Sequence, residues 1–262
     1  LALWLISPSV ATRISRPIHR APQRLTASQL HRLRFLARAT WLYFEQFVGP
    51  DDHWLPPDHF QEDPRGLVAH RTSPTNIGMG LLSTLAAHDL GFLRTADLLR
   101  RLEATLDTVE RLERFEGHLL NWYDTRTLAP LAPRYVSTVD SGNLAGALIA
   151  LAAGLRRLGR ERQTPAQLRA GLLDTAELAT LALLPLAGSP AGDVATTRLT
   201  LVIRTICDLL REPLDPAECL AGVGRHAASL EHALERFEQH ADASSTQAEA
   251  TWWCRALLGS LA

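Results

Sequence analysis

Four consecutive residues, Asn121, Trp122, Tyr123 and Asp124, place an amide, two aromatic rings and a carboxylate side by side. A polyhydroxylated ligand is held by these groups: amides and carboxylates pair with hydroxyls, and an aromatic face stacks on a sugar ring. Trp122 or Tyr123 would supply the platform and Asp124 the grip on hydroxyls. The competing reading is a turn tucked against the core, with Asp124 capping the backbone. Asp58, set among prolines and aromatics, is the candidate for an acidic wall opposite, whereas Glu62 and Asp63 read as solvated loop carboxylates. A carboxylate pair also raises glycosidase chemistry, which needs the two groups roughly 5 Å apart in retaining enzymes and further apart in inverting ones. Spacing along the chain does not fix that separation. Arg71 is expected to pair with an acidic loop residue and pin its loop. Asn76, three residues past Ser73, and Asp140, Ser141 and Asn143, at the start of a later helix, are either ligand contacts or local caps.

Other chemistries find no foothold. His53, His59 and His70 share one loop with carboxylates, but there is no HxxxH or HExxH spacing, so no metal site is expected. There is no glycine-rich phosphate loop, GxSxG elbow or Cys/His nucleophile pattern, and no cofactor is expected. Cys207, Cys219 and Cys254 are odd in number and lack CxxC spacing, which reads as reduced structural thiols. A net charge of −1 argues against nucleic acid as a partner.

The chemistry-bearing residues sit in two long loops, 54–78 and 118–139, between leucine- and alanine-rich segments of helical spacing. Loops this long between helices are functional or disordered, and Trp54, Leu55, Phe60, Leu67 and Val68 favour order. Helices are expected over about Thr26–Val48, from Ser73-Pro74 to near Gly91, from a cap at Thr95 to a terminating Gly117, and from near Ser141 onward. Gly142 and Gly146 would admit a second backbone at close range. Beyond residue 160, four more helices are read, one opening at Thr164-Pro165, with a loop around Gly188, Pro190 and Gly192. No segment alternates as a strand. The long loops follow the first and third helices, so both emerge at one end if the helices run up and down. The fold expected is all-α, its paired helices forming the first part of an incomplete α/α toroid, an (α/α)6-like barrel with its cleft at one end.

The N-terminus is an apolar run, LALWLISPSV, followed by Arg13, Arg16, Arg20 and Arg24. It reads as the end of a truncated transmembrane helix, with the arginines placing the rest of the chain on the cytoplasmic side. The expected organisation is then 1–25 for that helix end and its basic linker, 26–160 for the first helix pairs, and 161–262 for a variable helical continuation of the same domain.

The motifs WLPPDHFQEDP, VAHRTSPTNIG and LERFEGHLLNWYDTRTLAPLAPRYVSTVDSGNLAG resemble the glucoamylase-like region of cyclic β-1,2-glucan synthases over about residues 40–158. The resemblance implies a large bacterial inner-membrane enzyme. One module builds linear β-1,2-glucan, a middle region closes it by retaining transglycosylation, and a phosphorylase-like module trims it. This chain would be the start of the middle region. Its partners would be the glucan, the transferase and phosphorylase-like modules of the same polypeptide, and a membrane through the segment upstream of Arg13. The family's catalytic glutamates are expected beyond Ala262, so no catalytic residue is assigned within the chain. Substrate-binding positions are Asp58, Asn76, Asn121, Trp122, Tyr123, Asp124, Asp140 and Asn143. Two other functions stay open: a non-catalytic glucan-binding or domain-packing module, and a self-contained inverting hydrolase using Asp58 and Asp124.

Overall fold

A computed structural model describes residues 2–15, 24–186, 194–239 and 245–261. Arg16 and Arg20 of the basic linker, and the loop at Gly188, Pro190 and Gly192, lie outside these residues. The chain divides into two compact units, Leu1–Leu33 and Arg34–Ala262. The first holds α1 (Ala2–Ile14) and the opening of α2 (Ala27–Phe47). At 13 residues α1 is shorter than a membrane crossing requires, which is about 20. A capping box starts α2, with Gln29 N–H donating to Thr26 Oγ1 at 3.2 Å and Thr26 N–H to Gln29 Oε1 at 2.9 Å.

The second unit contains the remaining helices: α3 (Pro74–Asp89), α4 (Thr95–Arg111), α5 (Thr138–Leu158), α6 (Pro165–Leu183), α7 (Val194–Arg211), α8 (Pro216–Gly224), α9 (Ala227–Gln239) and α10 (Ser245–Leu261). The all-α reading holds. Among the described residues beyond 160 there are five helices rather than four, because α9 has no proline or cap box to mark it off from α8. The sheet content among the described residues is six two-residue strands. β1 (Phe60–Gln61) pairs with β2 (Leu67–Val68), β3 (Arg71–Thr72) with β6 (Tyr123–Asp124), and β4 (Arg114–Phe115) with β5 (His118–Leu119), all antiparallel.

Three expected boundaries move. The residue before α4 is Arg94, which makes no side-chain cap, so Thr95 is already helical. Gly117 does not end α4; with Glu116 it forms the left-handed turn of the β4–β5 hairpin, at φ 86° and 48°. The α5 helix begins three residues early, because Ser137 rather than Asp140 or Ser141 caps it and accepts from Asp140 N–H at 3.2 Å.

One packed centre positions the loops and another holds the later helices together. Leu55, Ile77, Leu81, Leu98, Leu102, Leu120, Tyr123 and Leu151 form a core under both long loops. A larger one, including Leu183, Leu199, Ile206, Leu234, Phe237 and Trp253, joins α6, α7, α9 and α10. The main helix pair of the first centre is α3 against α5, and its seam is set by Gly78. A Cβ there would lie 2.9 Å from Ala147 Cβ, closer than carbon atoms pack. Gly142 and Gly146 were the expected points of close approach; nothing lies within 4 Å of where their Cβ atoms would be. They face outward beside Val139 and Ile149, which are 71% and 72% exposed. Among the described residues α5 is also the one helix long and apolar enough to cross a membrane.

Candidate functional site

Backbone pairing brings the two long loops together. β3 ends the first and β6 lies in the second, in register Arg71↔Asp124 and Thr72↔Tyr123. The first loop is shaped by unusual backbone: His53 and Trp54 are both left-handed, at φ 52° and 62°. A tryptophan there is strained, and three contacts hold it. Thr105 Oγ1 donates to Trp54 O at 2.9 Å, and the guanidinium groups of Arg100 and Arg101 lie 5.1 and 5.6 Å from its ring centroid.

Asp58 is the hub of the first side. Arg71 donates to its Oδ2 from Nη2 at 2.8 Å and from Nε at 3.1 Å, His59 Nδ1 lies 3.1 Å away, and Asn76 Nδ2 donates to Oδ1 at 3.4 Å. Arg71 thus pins the loop as expected. Burial alone would raise the Asp58 carboxyl; the hydrogen bonds from Arg71, His59 and Asn76 outweigh it and hold it below the ordinary carboxylate value. Arg71 also lies over the Trp122 ring, 4.9 Å from the centroid, within cation–π range.

Trp122 connects to the second side. With its amide turned to match its neighbours, buried Asn121 accepts from Trp122 Nε1 at 2.6 Å and from Tyr135 Oη at 2.8 Å, and donates to Asp140 Oδ2 at 3.3 Å. Thr75 Oγ1 donates to Asp140 Oδ1 at 2.5 Å and accepts from Asn143 Nδ2 at 3.0 Å. Asp58, Arg71, Trp122, Asn121, Asp140, Thr75 and Asn143 form one unbroken chain of contacts across the first turns of α3 and α5. Trp122 and Asp140 are half-buried and Asn143 is exposed, so this face meets solvent.

Two of the sequence candidates are placed differently. Tyr123 is fully buried, and its hydroxyl accepts from Leu120 N–H and donates to Glu113 O, both at 2.6 Å. No face of its ring is left for stacking. Asp124 caps its own turn: Oδ1 accepts from Arg126 N–H at 2.9 Å, Thr127 N–H at 2.8 Å and Thr127 Oγ1 at 3.1 Å. Burial would raise this carboxyl too, but the Thr127 and Arg126 bonds bring it below its ordinary value. The inverting-hydrolase reading needs a general acid pushed up in pKa, and both of its carboxyls are held down. Glu62 and Asp63 are exposed, as expected. No group of His, Cys, Asp or Glu among the described residues could hold a metal ion.

Sequence reasoning missed Thr75 and Tyr135, whose hydroxyls join the two sides, and Asp52, which is buried beneath them. A hydroxyl two residues past a helix cap, as in Ser73-Pro74-Thr75, was a usable signal. Asp52 had none, because the carboxylate of a Pro-Asp-Asp run reads as solvated.

These features define the class: an all-α protein of paired helices whose two long loops assemble an aromatic, amide- and carboxylate-bearing face. The resemblance read from the motifs is borne out by a particular relative. Over 155 residues, 59% of this chain, it is 46% identical to the cyclic beta-(1,2)-glucan synthase NdvB of Rhizobium meliloti. The chain spans 6% of that relative's length. No protein-family model matches the chain. Among solved structures it is similar to a candidate glucoamylase from Bacteroides fragilis, at 18% identity and a TM-score of 0.35, over 72% of this chain and 37% of that one. A score this low leaves the fold to be argued from the chain itself.

Proposed function

We propose that this chain is a piece of a cyclic β-1,2-glucan synthase and contributes the glucan-binding part of the region that closes the linear glucan. The observation that carries the reading is the Trp122 face. Arg71 lies over one side of the indole, Asn121 fixes its N–H, and through these two residues the ring is linked to Asp58 and Asn76 on one side and to Asp140, Thr75 and Asn143 on the other. An oriented ring with flanking amides and carboxylates suits a sugar ring and its hydroxyls. The similarity to NdvB, a cyclic beta-(1,2)-glucan synthase, supports a β-1,2-glucan as the ligand. Asp124 acts by shaping the turn beneath, and Tyr123 by anchoring it to the core. The catalytic carboxylates belong to other parts of the polypeptide, as do the transferase and phosphorylase-like modules. The apolar α1, where Trp4 is 84% exposed and Arg13 is in the last turn, is assigned to the bacterial inner membrane, with the helical unit on the cytoplasmic side.

The outward face of α5, with Val139, Gly142, Gly146 and Ile149, favours a second role alongside binding: packing further helices of an α/α toroid. The test is titration of the 262-residue chain with a linear β-1,2-linked gluco-oligosaccharide. Trp122→Ala should weaken binding roughly tenfold to a hundredfold, as loss of a stacking contact implies. Unchanged affinity in that variant, with the fold intact by circular dichroism, would remove the proposal.

A further inference from the structure

We infer that Asp52 and His70 are positioning residues: the bond between the buried Asp52 and the half-buried His70, with the imidazole proton held on Nδ1, helps fix the register in which the two long loops present Arg71 to Trp122. The inference rests on the reading of that face as the glucan-binding one.

Asp52 is 7% exposed, at the end of a short 3-10 turn, Pro50–Asp52, that follows α2. Its Oδ1 accepts from His70 Nδ1 at 2.7 Å and from the Thr125 hydroxyl. The other ring nitrogen, His70 Nε2, faces Arg126 Nη2 at 2.5 Å. A guanidinium can only donate, so Nε2 must offer its lone pair and the single ring proton must sit on Nδ1. The two partners therefore select one tautomer of His70. A protonated ring would turn an N–H toward the guanidinium.

The rest of the knot closes around this bond. Thr125 N–H donates to His70 O at 3.1 Å, and His53 Nδ1 donates to Thr125 O at 2.9 Å. Residues from both ends of the first loop and from the turn of the second are thereby joined. The bonded pair of positions lies one step from the β3–β6 register Arg71↔Asp124. In a two-residue ladder, a slip by one residue sends each side chain to the opposite face. Arg71 would then leave the Trp122 ring. Two cross-strand pairs alone set register weakly; burial of Thr72 and Tyr123 fixes one face of the ladder, and the Asp52 carboxylate holds the adjoining His70 and Thr125 in step with it.

The experiment begins with the unmodified 262-residue chain, labelled with 15N and read by long-range 1H–15N correlation at neutral pH. The expected result is a neutral His70 with the proton on Nδ1; an Nε2–H tautomer or an imidazolium overturns the inference. Binding of the linear gluco-oligosaccharide and the Trp122 indole N–H resonance are then followed in variants. Asp52→Ala should move the indole resonance and weaken binding about tenfold, while Asp52→Asn, which keeps an acceptor oxygen, should restore both. If Asp52→Ala fails to fold, Thr125→Val, which removes one donor to the same oxygen, is read in its place and should shift the indole resonance. If Trp122→Ala loses binding while Asp52→Ala keeps it, the positioning role is wrong and the glucan reading stands. If Trp122→Ala binds normally, the glucan reading fails, and the indole resonance in Asp52→Ala alone decides: moved, the register role holds; unmoved, it falls.

Discussion

Replacing Gly78 by alanine tests the link between helix packing and the candidate site. The added Cβ would sit 2.9 Å from Ala147 Cβ and 3.5 Å from Leu144 Cα. Unbonded carbons pack best at about 3.5–4.0 Å, so α3 and α5 must separate by roughly 0.6–1.1 Å. Overpacking of this kind costs about 1–3 kcal/mol, and alanine's better helix propensity returns about 1 kcal/mol. The net is a loss of about 0–2 kcal/mol, or a melting temperature lower by about 2–4 °C for each kcal/mol. Gly142→Ala and Gly146→Ala meet nothing within 4 Å and should each raise stability by about 0.5–1 kcal/mol.

The same small separation acts on the site. The Thr75–Asp140 and Asn143–Thr75 bonds cross the α3–α5 seam at 2.5 and 3.0 Å. An added ångström brings both to the edge of hydrogen-bond range or past it. Gly78→Ala should therefore weaken oligosaccharide binding even where it melts only a few degrees early, and the two outward-face variants should bind normally. Thermal melts and titrations on the three proteins provide the comparison. If Gly78→Ala stabilises the protein as much as the other two, the seam is not packed as described and its role in positioning the site is refuted.

Further outcomes come from single contacts. Tyr123→Phe removes the hydroxyl that joins Leu120 N–H and Glu113 O, and should cost about 1–3 kcal/mol in urea unfolding by leaving the buried Leu120 N–H unpaired. Asp58 and Asp124 both titrate below the ordinary 3.8 when folded. Their stabilisation is complete above that pH and is lost as the pH falls through the lower folded values, so acid melts of Asp58→Asn should approach wild type as the pH drops under 3.8 and converge on it below the folded value. Burial, with Glu238 nearby, pushes the Cys254 thiol up to about 12; iodoacetamide should label it only on unfolding, by mass spectrometry. The isolated chain should neither cyclise nor hydrolyse β-1,2-glucan in a product assay; turnover lost in Asp58→Asn would restore the self-contained hydrolase.

The helices were legible because their stripes and caps are local. Ser73-Pro74 opens α3 and Thr164-Pro165 opens α6 where the motifs place them, and each cap hydroxyl accepts from the backbone three residues on. The Arg71 pin was legible as a charge in need of a partner, though the identity of that partner depended on the fold. What could not be read was direction. Trp122 and Tyr123 are neighbours of similar chemistry, but in an extended pair successive side chains point to opposite faces. Tyr123 was sent to the core and Trp122 to the surface, and no local signal distinguishes them. Gly142 and Gly146 misled for the same reason: small residues permit close approach, but which helix face receives a neighbour is settled by the whole packing. The seam glycine was Gly78, whose role needs Ala147 opposite it.

The polar groups of the candidate site are bound to one another before any ligand arrives. One oxygen of Asp58 is held by Arg71, Oδ1 of Asp124 by its own turn, and one oxygen of Asp140 by Thr75. What remains for a sugar is the half-buried indole of Trp122, the remaining acceptor sites on those carboxylates, and the exposed amide of Asn143. Such an arrangement gives up hydrogen-bonding capacity for fixed orientation. On the proposed function, a long glucan gains more from a rigid surface than from many flexible contacts, because each group immobilised in advance lowers the entropy lost on binding. That makes the internal bonds, and the buried Asp52 beneath them, as much a part of recognition as the groups that would touch the glucan.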